Sequence, residues 1–227
     1  MKIGILGTGV VGQTIGAKLA ELGHEVMIGT RDVAATLART EPGFYGNPPF
    51  SVWQQQNPTV KVGTFAEAAR HGELLINATS GGVTLAALAT AGKANLDSKV
   101  LIDISNPLDF SKGMPPSLLV SNTDSLAEQI QRAFPAVKVV KTLNTMNTNL
   151  MVNPRQLADG DHHVFVSGND AVAKAQVTTL LKDGFGWRNV VDLGDITTAR
   201  GTEMLLPIWI RLMGVLQTPL FNFKIVK

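Results

Sequence analysis

Ile3-Gly4-Ile5-Leu6-Gly7-Thr8-Gly9-Val10-Val11-Gly12 passes from an apolar run through a glycine turn into a helical pattern. A strand, a tight turn and a helix N-terminus in that order suit a dinucleotide. The first glycine, Gly7, permits the turn. The second, Gly9, lets the backbone approach a pyrophosphate with no Cβ in the way. The third, Gly12, lets helix and strand pack closely. Thr8, Val10 and Val11 complete the loop, and the helix start offers free N–H groups and partial positive charge to phosphates. Val11, Ile15, Leu19 and Leu22 recur at helical spacing and predict an apolar face against a sheet, with Gly16 allowing close contact.

The next strand, over residues 24–29, is expected to end beside an adenosine ribose. NAD-binding chains place Asp or Glu there to hold the ribose 2′-hydroxyl. This chain has Thr30-Arg31 instead. A carboxylate would repel a 2′-phosphate, whereas a hydroxyl and a guanidinium would bind it. The expected coenzyme is therefore NADP(H). Asp32 is expected to cap the following helix rather than face the ribose.

Strand and helix patterns alternate onward from there. Strands are predicted at 60–62, 74–78, 99–104 and 137–141, with helices at 33–40, 65–70, 83–91 and from Thr123 or Asp124 to Phe134. This alternation specifies an α/β fold with a Rossmann-type, doubly wound parallel sheet. Ligands in such sheets lie at the carboxyl ends of the strands, near the switch point. The domain expectation is a coenzyme-binding part over residues 1–150 and a small α/β extension over 151–227. The extension carries strands at 163–167 and 189–192 and a helix at 171–182. Its last segment, 198–217, is strongly apolar, with Pro207 kinking it or starting its second part. Such a helix is expected to be buried, in the core or in a homodimer interface. Residues 42–58 interrupt the alternation with prolines, glycines and aromatics, and read as a loop or short lid. Phe44, Tyr45, Phe50 and Trp53 there could anchor the loop or cover a flat ring.

Composition excludes several classes. The chain has 227 residues, 44% hydrophobic and 17% charged, with a net charge of +2 and no long basic run, which argues against nucleic acid as a partner. No cysteine is present, so disulfides, thiolate catalysis and Cys-ligated metal sites are excluded. His162 and His163 would point to opposite faces of an extended chain, so no metal site is expected. No run of 18 apolar residues exists, so no membrane partner is expected. No secretory leader is expected ahead of Met1-Lys2-Ile3, and a cytoplasmic location fits these features.

With the motifs placed, the chain resembles the F420-dependent NADP oxidoreductases, which transfer hydride between NADPH and a deazaflavin coenzyme. Residues 5–12, Gly23-His24-Glu25-Val26 and Ile28-Gly29-Thr30-Arg31 carry the resemblance. Val139-Val140-Lys141-Thr142-Leu143-Asn144-Thr145 is similar to the strand and loop near the nicotinamide in that family. It is also similar to the reductase domain of membrane ferric reductases. The resemblance implies NADPH use, a phosphate role for residues 8–12, a 2′-phosphate role for Thr30 and Arg31, and commonly a dimer. The chain departs from the family's minimal pattern in the 42–58 insertion, and Asn144 stands where the family often has His.

Hydride transfer between flat rings needs orientation more than acid–base groups. Small residues at the strand ends would allow the rings to approach: Ala78, Thr79, Ser80, Gly81 and Gly82, then Ser105, Asn106 and Pro107. Asn144 and Thr145 are the catalytic candidates, with Met146 and Asn147 completing the wall. The acceptor is then a flavin-like or deazaflavin ring. Two rival readings stand beside it. A carbonyl or imine reductase would need a general acid such as Lys141 or Asp103. A non-catalytic NADP(H) sensor would bind without turnover.

Overall fold

The computed structural model describes residues 1–43 and 46–227. Phe44 and Tyr45, two of the aromatics singled out in the insertion, lie outside the described residues. The chain begins β1(Lys2–Leu6), α1(Val10–Glu21), β2(Glu25–Thr30), α2(Val33–Leu37), α3(Phe50–Gln56), β3(Lys61–Thr64), α4(Phe65–His71) and β4(Leu74–Asn77). It continues with α5(Thr84–Ala91), α6(Lys93–Leu96), β5(Val100–Asp103), a hairpin of β6(Leu108–Asp109) and β7(Ser117–Leu118), α7(Leu126–Ala133) and β8(Lys138–Thr142). The last part holds α8(Thr148–Val152), β9(His163–Gly168), α9(Ala171–Thr179), β10(Asn189–Gly194), α10(Ala199–Met204) and α11(Leu206–Leu216).

The main sheet has the order β10-β9-β8-β5-β4-β1-β2-β3. Its last six members, read from the β3 edge, give the doubly wound order of a dinucleotide fold, with the reversal between β1 and β4. All pairs from β8 to β3 are parallel. β9 joins antiparallel to β8, and β10 parallel to β9. The two strands expected in a small C-terminal part thus extend the same sheet.

Strands buried on both faces read as continuous apolar runs. Odd and even positions of each strand feed different cores. Ile3, Ile5, Ile76, Ile102 and Val140 pack with Ile15 and Leu19 of α1, Leu150 of α8 and Val177 of α9. Leu6, Leu75, Leu101 and Val139 pack with Ala68 of α4, Leu88 of α5, Ile130 of α7 and Ala199 of α10. A Cβ on Gly16 would come within 3.0 Å of Ile28, so its place on the buried side of α1 is a packing requirement. Leu22, expected on that face, is exposed, because α1 ends at Glu21 and the chain turns at Gly23 with φ +82°.

Two local expectations are corrected, on α7 and on the insertion, and a third, that Pro207 kinks the C-terminal segment or starts its second part, is met in the latter form. α7 is capped by Ser125, whose hydroxyl accepts the Glu128 N–H, and not by Thr123 or Asp124. The apolar C-terminal segment breaks into α10 and α11, with Pro207 in the first turn of α11. Leu206 is the only residue of α11 buried by the chain itself. The 42–58 insertion contains regular structure: α3, whose Phe50 is buried against Trp53. Both described aromatics act as the anchor.

Candidate functional site

β1 ends at the switch point, and its turn has the geometry the glycines require. Gly7 has φ +121°, a conformation open to glycine but strained for other residues. A Cβ there would lie 2.6 Å from the Ala78 carbonyl oxygen, and one on Gly12 2.1 Å from that of Gly7. A Cβ on Gly9 would meet nothing within 4 Å. The first and third glycines thus close the loop on the protein, while the second faces open space. Gly9 is the N-cap of α1, no side chain caps the helix, and no acidic residue sits in its first turn. Among the described residues no side chain caps the N–H groups at this helix start, where the positive end of the helix dipole also lies. This is a cradle that fits a pyrophosphate.

At the end of β2, Thr30 is buried and its hydroxyl lies 2.8 Å from that of Thr36. Arg31 is exposed. It takes part in none of the ion pairs among the described residues. Asp32 points away into α2, accepting the Ala35 N–H at 2.8 Å, so the capping expectation holds. Among the described residues the end of β2 therefore keeps a guanidinium outside every ion pair, which fits a 2′-phosphate, while the neighbouring Thr30 hydroxyl is engaged with that of Thr36. Within the insertion, α3 follows α2 and leads into β3, the edge strand beside β2.

Those three loops meet one another. A Cβ on Gly81 would lie 2.1 Å from the Asn106 carbonyl oxygen, so Gly81 is needed for the loops after β4 and β5 to touch. Asn106 Nδ2 donates to the Asn144 carbonyl at 3.0 Å, and Asn144 Nδ2 donates back to Asn106 Oδ1 at 2.9 Å. Asn144 Nδ2 also donates to the Thr202 carbonyl at 3.1 Å. Asn144 and Thr145 are both buried. The Asn144 amide nitrogen, offered from sequence as a catalytic group, is spent as a clasp between loops. Ala78 and Thr79 are half-buried and Ser80 is exposed. Asn147 caps α8 through the Asn149 N–H at 2.9 Å.

Beneath the loops runs a polar row that the sequence reading saw only in part. The register places Asn77, Asp103 and Lys141 side by side on neighbouring strands. Asp103 Oδ1 accepts from Asn77 Nδ2 at 2.7 Å and from the Ser105 hydroxyl at 2.7 Å. Asn77 Oδ1 accepts the Thr79 hydroxyl at 2.7 Å. Lys141 Nζ pairs with Asp103 Oδ2 at 2.8 Å and Glu203 Oε1 at 2.9 Å, and donates to the Ser105 carbonyl. Burial alone would lower the Lys141 pKa, but the charges of Asp103 and Glu203 outweigh it and hold the ammonium above its ordinary value. Lys141 and Asp103 are 1% and 0% exposed. Either as general acid toward a ligand in the cleft is thereby overturned: each is sealed and paired. A lysine inside an apolar strand is a legible sign of a buried partner. Glu203, 62 residues on, gave no such sign.

The histidines expected to hold no metal serve the chain itself. His162 is buried with Nε2 2.9 Å from the Pro154 carbonyl and Nδ1 2.8 Å from Asn222 Nδ2, while His163 Nδ1 accepts the Ile225 N–H at 3.2 Å. No described helix is long and apolar enough to cross a membrane.

Comparison with known proteins agrees with this geometry. The profile of a family described as "NADP oxidoreductase coenzyme F420-dependent" matches residues 2–107. A crystal structure from Arthrobacter sp. FB24, provisionally named an F420-dependent NADP reductase, is 62% identical, with TM-score 0.96 over 100% of both chains. The F420-dependent NADP reductase of Methanothermobacter marburgensis is 27% identical over 93% of this chain and 92% of its own length. The rat metalloreductase STEAP3 is 27% identical over 92% of this chain, which spans only 38% of that protein. The chain, an NADP-dependent oxidoreductase, belongs to the F420-dependent NADP oxidoreductase family.

Proposed function

We propose that this protein passes hydride between NADP(H) and a flat flavin-like acceptor, foremost a deazaflavin of the F420 type. The observation that carries the reading is the make-up of the wall formed by the loops after β4, β5 and β8. Among the described residues it presents Ala78, Thr79, Ser80 and Asn106 beside a buried Pro107, and Asp103, Lys141 and Glu203 are sealed beneath it. Such a wall orients and dehydrates two rings but supplies no acid to a carbonyl. The bound coenzyme supplies the hydride. In this reading the pyrophosphate lies on the N–H groups of residues 8–12 and Gly9. Thr30 and Arg31 hold the 2′-phosphate. Ala78, Thr79, Ser80 and Asn106 line the nicotinamide end, framed by Asn144 and Thr145.

The same reading assigns coenzyme binding to residues 1–150, and support of the nicotinamide end and subunit contact to residues 151–227. It includes a cytoplasmic location and a homodimer joined through α11, whose Ile208, Val215 and Leu216 are exposed. Mixing the protein with NADPH or NADH and a panel of F420, FMN, FAD and a ferric chelate tests it. The expected result is NADPH oxidation fastest with F420, with Arg31→Ala weakening NADPH binding by tenfold or more and NADH binding little. No oxidation above background with any ring, or equal losses for both coenzymes, would overturn it.

A further inference from the structure

Asp103, Lys141 and Glu203 are each no more than 1% exposed, and the coenzyme reading uses none of them. We propose that Glu203 is a positioning residue: through Lys141 and Asp103 it fixes the loops after β4, β5 and β8, so the seat of α10 sets how the redox half of the coenzyme is held. This rests on those loops being the nicotinamide end.

The connections run without a break. Glu203 Oε2 accepts the Leu126 N–H at 2.8 Å, and Oε1 accepts the Ala127 N–H at 3.1 Å, so its carboxylate sits on the N-terminus of α7. Two carboxylates share one ammonium here, and the α7 dipole offsets the excess negative charge. From Lys141 the network passes to the Ser105 carbonyl and to Asp103, and from Asp103 to Ser105 and Asn77. Asn77 holds Thr79, which pairs with Thr84 at 2.8 Å. One residue before Glu203, the Thr202 carbonyl accepts from Asn144. Arg200, on the same turn of α10, pairs with Glu128 of α7. The loop after β8 is thus tied to α10 directly, the loop after β5 through Lys141, and the loop after β4 through Lys141, Asp103 and Asn77 in turn. A buried ion pair is a poor source of net stability compared with apolar packing. Its placement at the ends of β5 and β8, joined through Asn77 to the end of β4, therefore points to geometry as its role. Among the described residues the end of β2, at the opposite half of the coenzyme, has no side-chain hydrogen bond to the network, and the turn after β1 meets it only through the backbone around Ala78.

Binding of the whole coenzyme and of half of it separates the two ends. NADPH is titrated by its own fluorescence, and 2′,5′-ADP, which carries the adenosine half and its phosphate, by displacement. In Glu203→Gln the NADPH Kd is expected to rise at least tenfold, while that of 2′,5′-ADP stays within twofold. A general loosening of the fold would weaken both. The variant Asp103→Asn/Lys141→Met/Glu203→Gln leaves no buried charge unpaired and should show the same split if Glu203→Gln alone does not fold. Equal weakening of both ligands in a folded variant, or no weakening of either, overturns the proposal. Failure of 2′,5′-ADP to displace NADPH from the unaltered protein would instead overturn the coenzyme-site reading.

Discussion

A methyl group at Gly12 would lie 2.1 Å from a backbone oxygen, whereas one at Gly9 would enter open space. Two glycines of one motif therefore stand differently: packing requires Gly12 and does not require Gly9. Gly9 has φ −71° and ψ 175°, which any residue adopts, so Gly9→Ala should cost no more than ~1 kcal/mol of stability, the range of an N-cap change. It should still weaken NADPH binding, because its Cβ stands where a phosphate approaches. Gly12→Ala should destabilise by more than ~2 kcal/mol, the range of core overpacking against an unyielding neighbour. Thermal unfolding and NADPH titration of both variants check this, and an intact NADPH Kd in Gly9→Ala would remove that glycine from the site. At this scale the sequence was most informative. Gly7, Gly12 and Asp32 act as their local spacing requires, because turn, close approach and cap are set within a few residues.

Elements show where local reading stops. The pattern Ser125-Leu126-Ala127-Glu128 is a helix-start signature, and the structure uses it, so the α7 boundary was legible at Ser125. Asp124 beside it is diverted. Arg132 donates to both its oxygens, at 2.9 and 2.7 Å, and this hydrogen bonding pulls the Asp124 carboxyl down to about 2. A carboxyl with a depressed folded-state pKa stabilises above its ordinary value near 4, and that stability is lost as pH falls from about 4 to about 2. The Arg132 side chain is 60% exposed, so solvent screening limits the contribution to at most ~1 kcal/mol. Asp124→Asn should lower stability modestly at neutral pH and flatten the acid loss in that window. Urea unfolding across it is the check, and an unchanged slope would rule out the Asp124–Arg132 pair as its source. The hairpin of β6 and β7 was not anticipated: two-residue strands carry too short a pattern to register as alternation.

Across the whole molecule, the C-terminal segment divides into a sealed helix and an exposed one that its own sequence does not separate. α10 is drawn into the protein by Glu203, Thr202 and Ala199, all nearly sealed from solvent. α11 follows directly and leaves Ile208 half-exposed and Val215 80% exposed. A contiguous apolar face of this kind is costly in water and suits a subunit contact. Ile208→Asp with Val215→Asp should convert a dimer to a monomer, with NADPH binding retained through the loops after β1 and β2. Light scattering with coenzyme titration checks both halves. A wild-type mass equal to one chain would remove the dimer from the proposal.

The sequence by itself determined the alternating strands and helices, the sheet class, the glycine turn after β1 and the Thr30-Arg31 pair that stands at the end of β2 with Asp32 turned to capping. Each of these follows from side chains a few residues apart, where backbone conformation and periodicity are decided. Only the tertiary structure decided that two further strands extend the sheet, one of them antiparallel. It alone showed that Asn144 is a clasp, and that Lys141 and Asp103 are closed off by a glutamate from the far end of the chain. Those outcomes depend on which distant segments share a buried space. A buried charge must find its opposite wherever the packed fold brings one, and spacing along the chain does not say where that is.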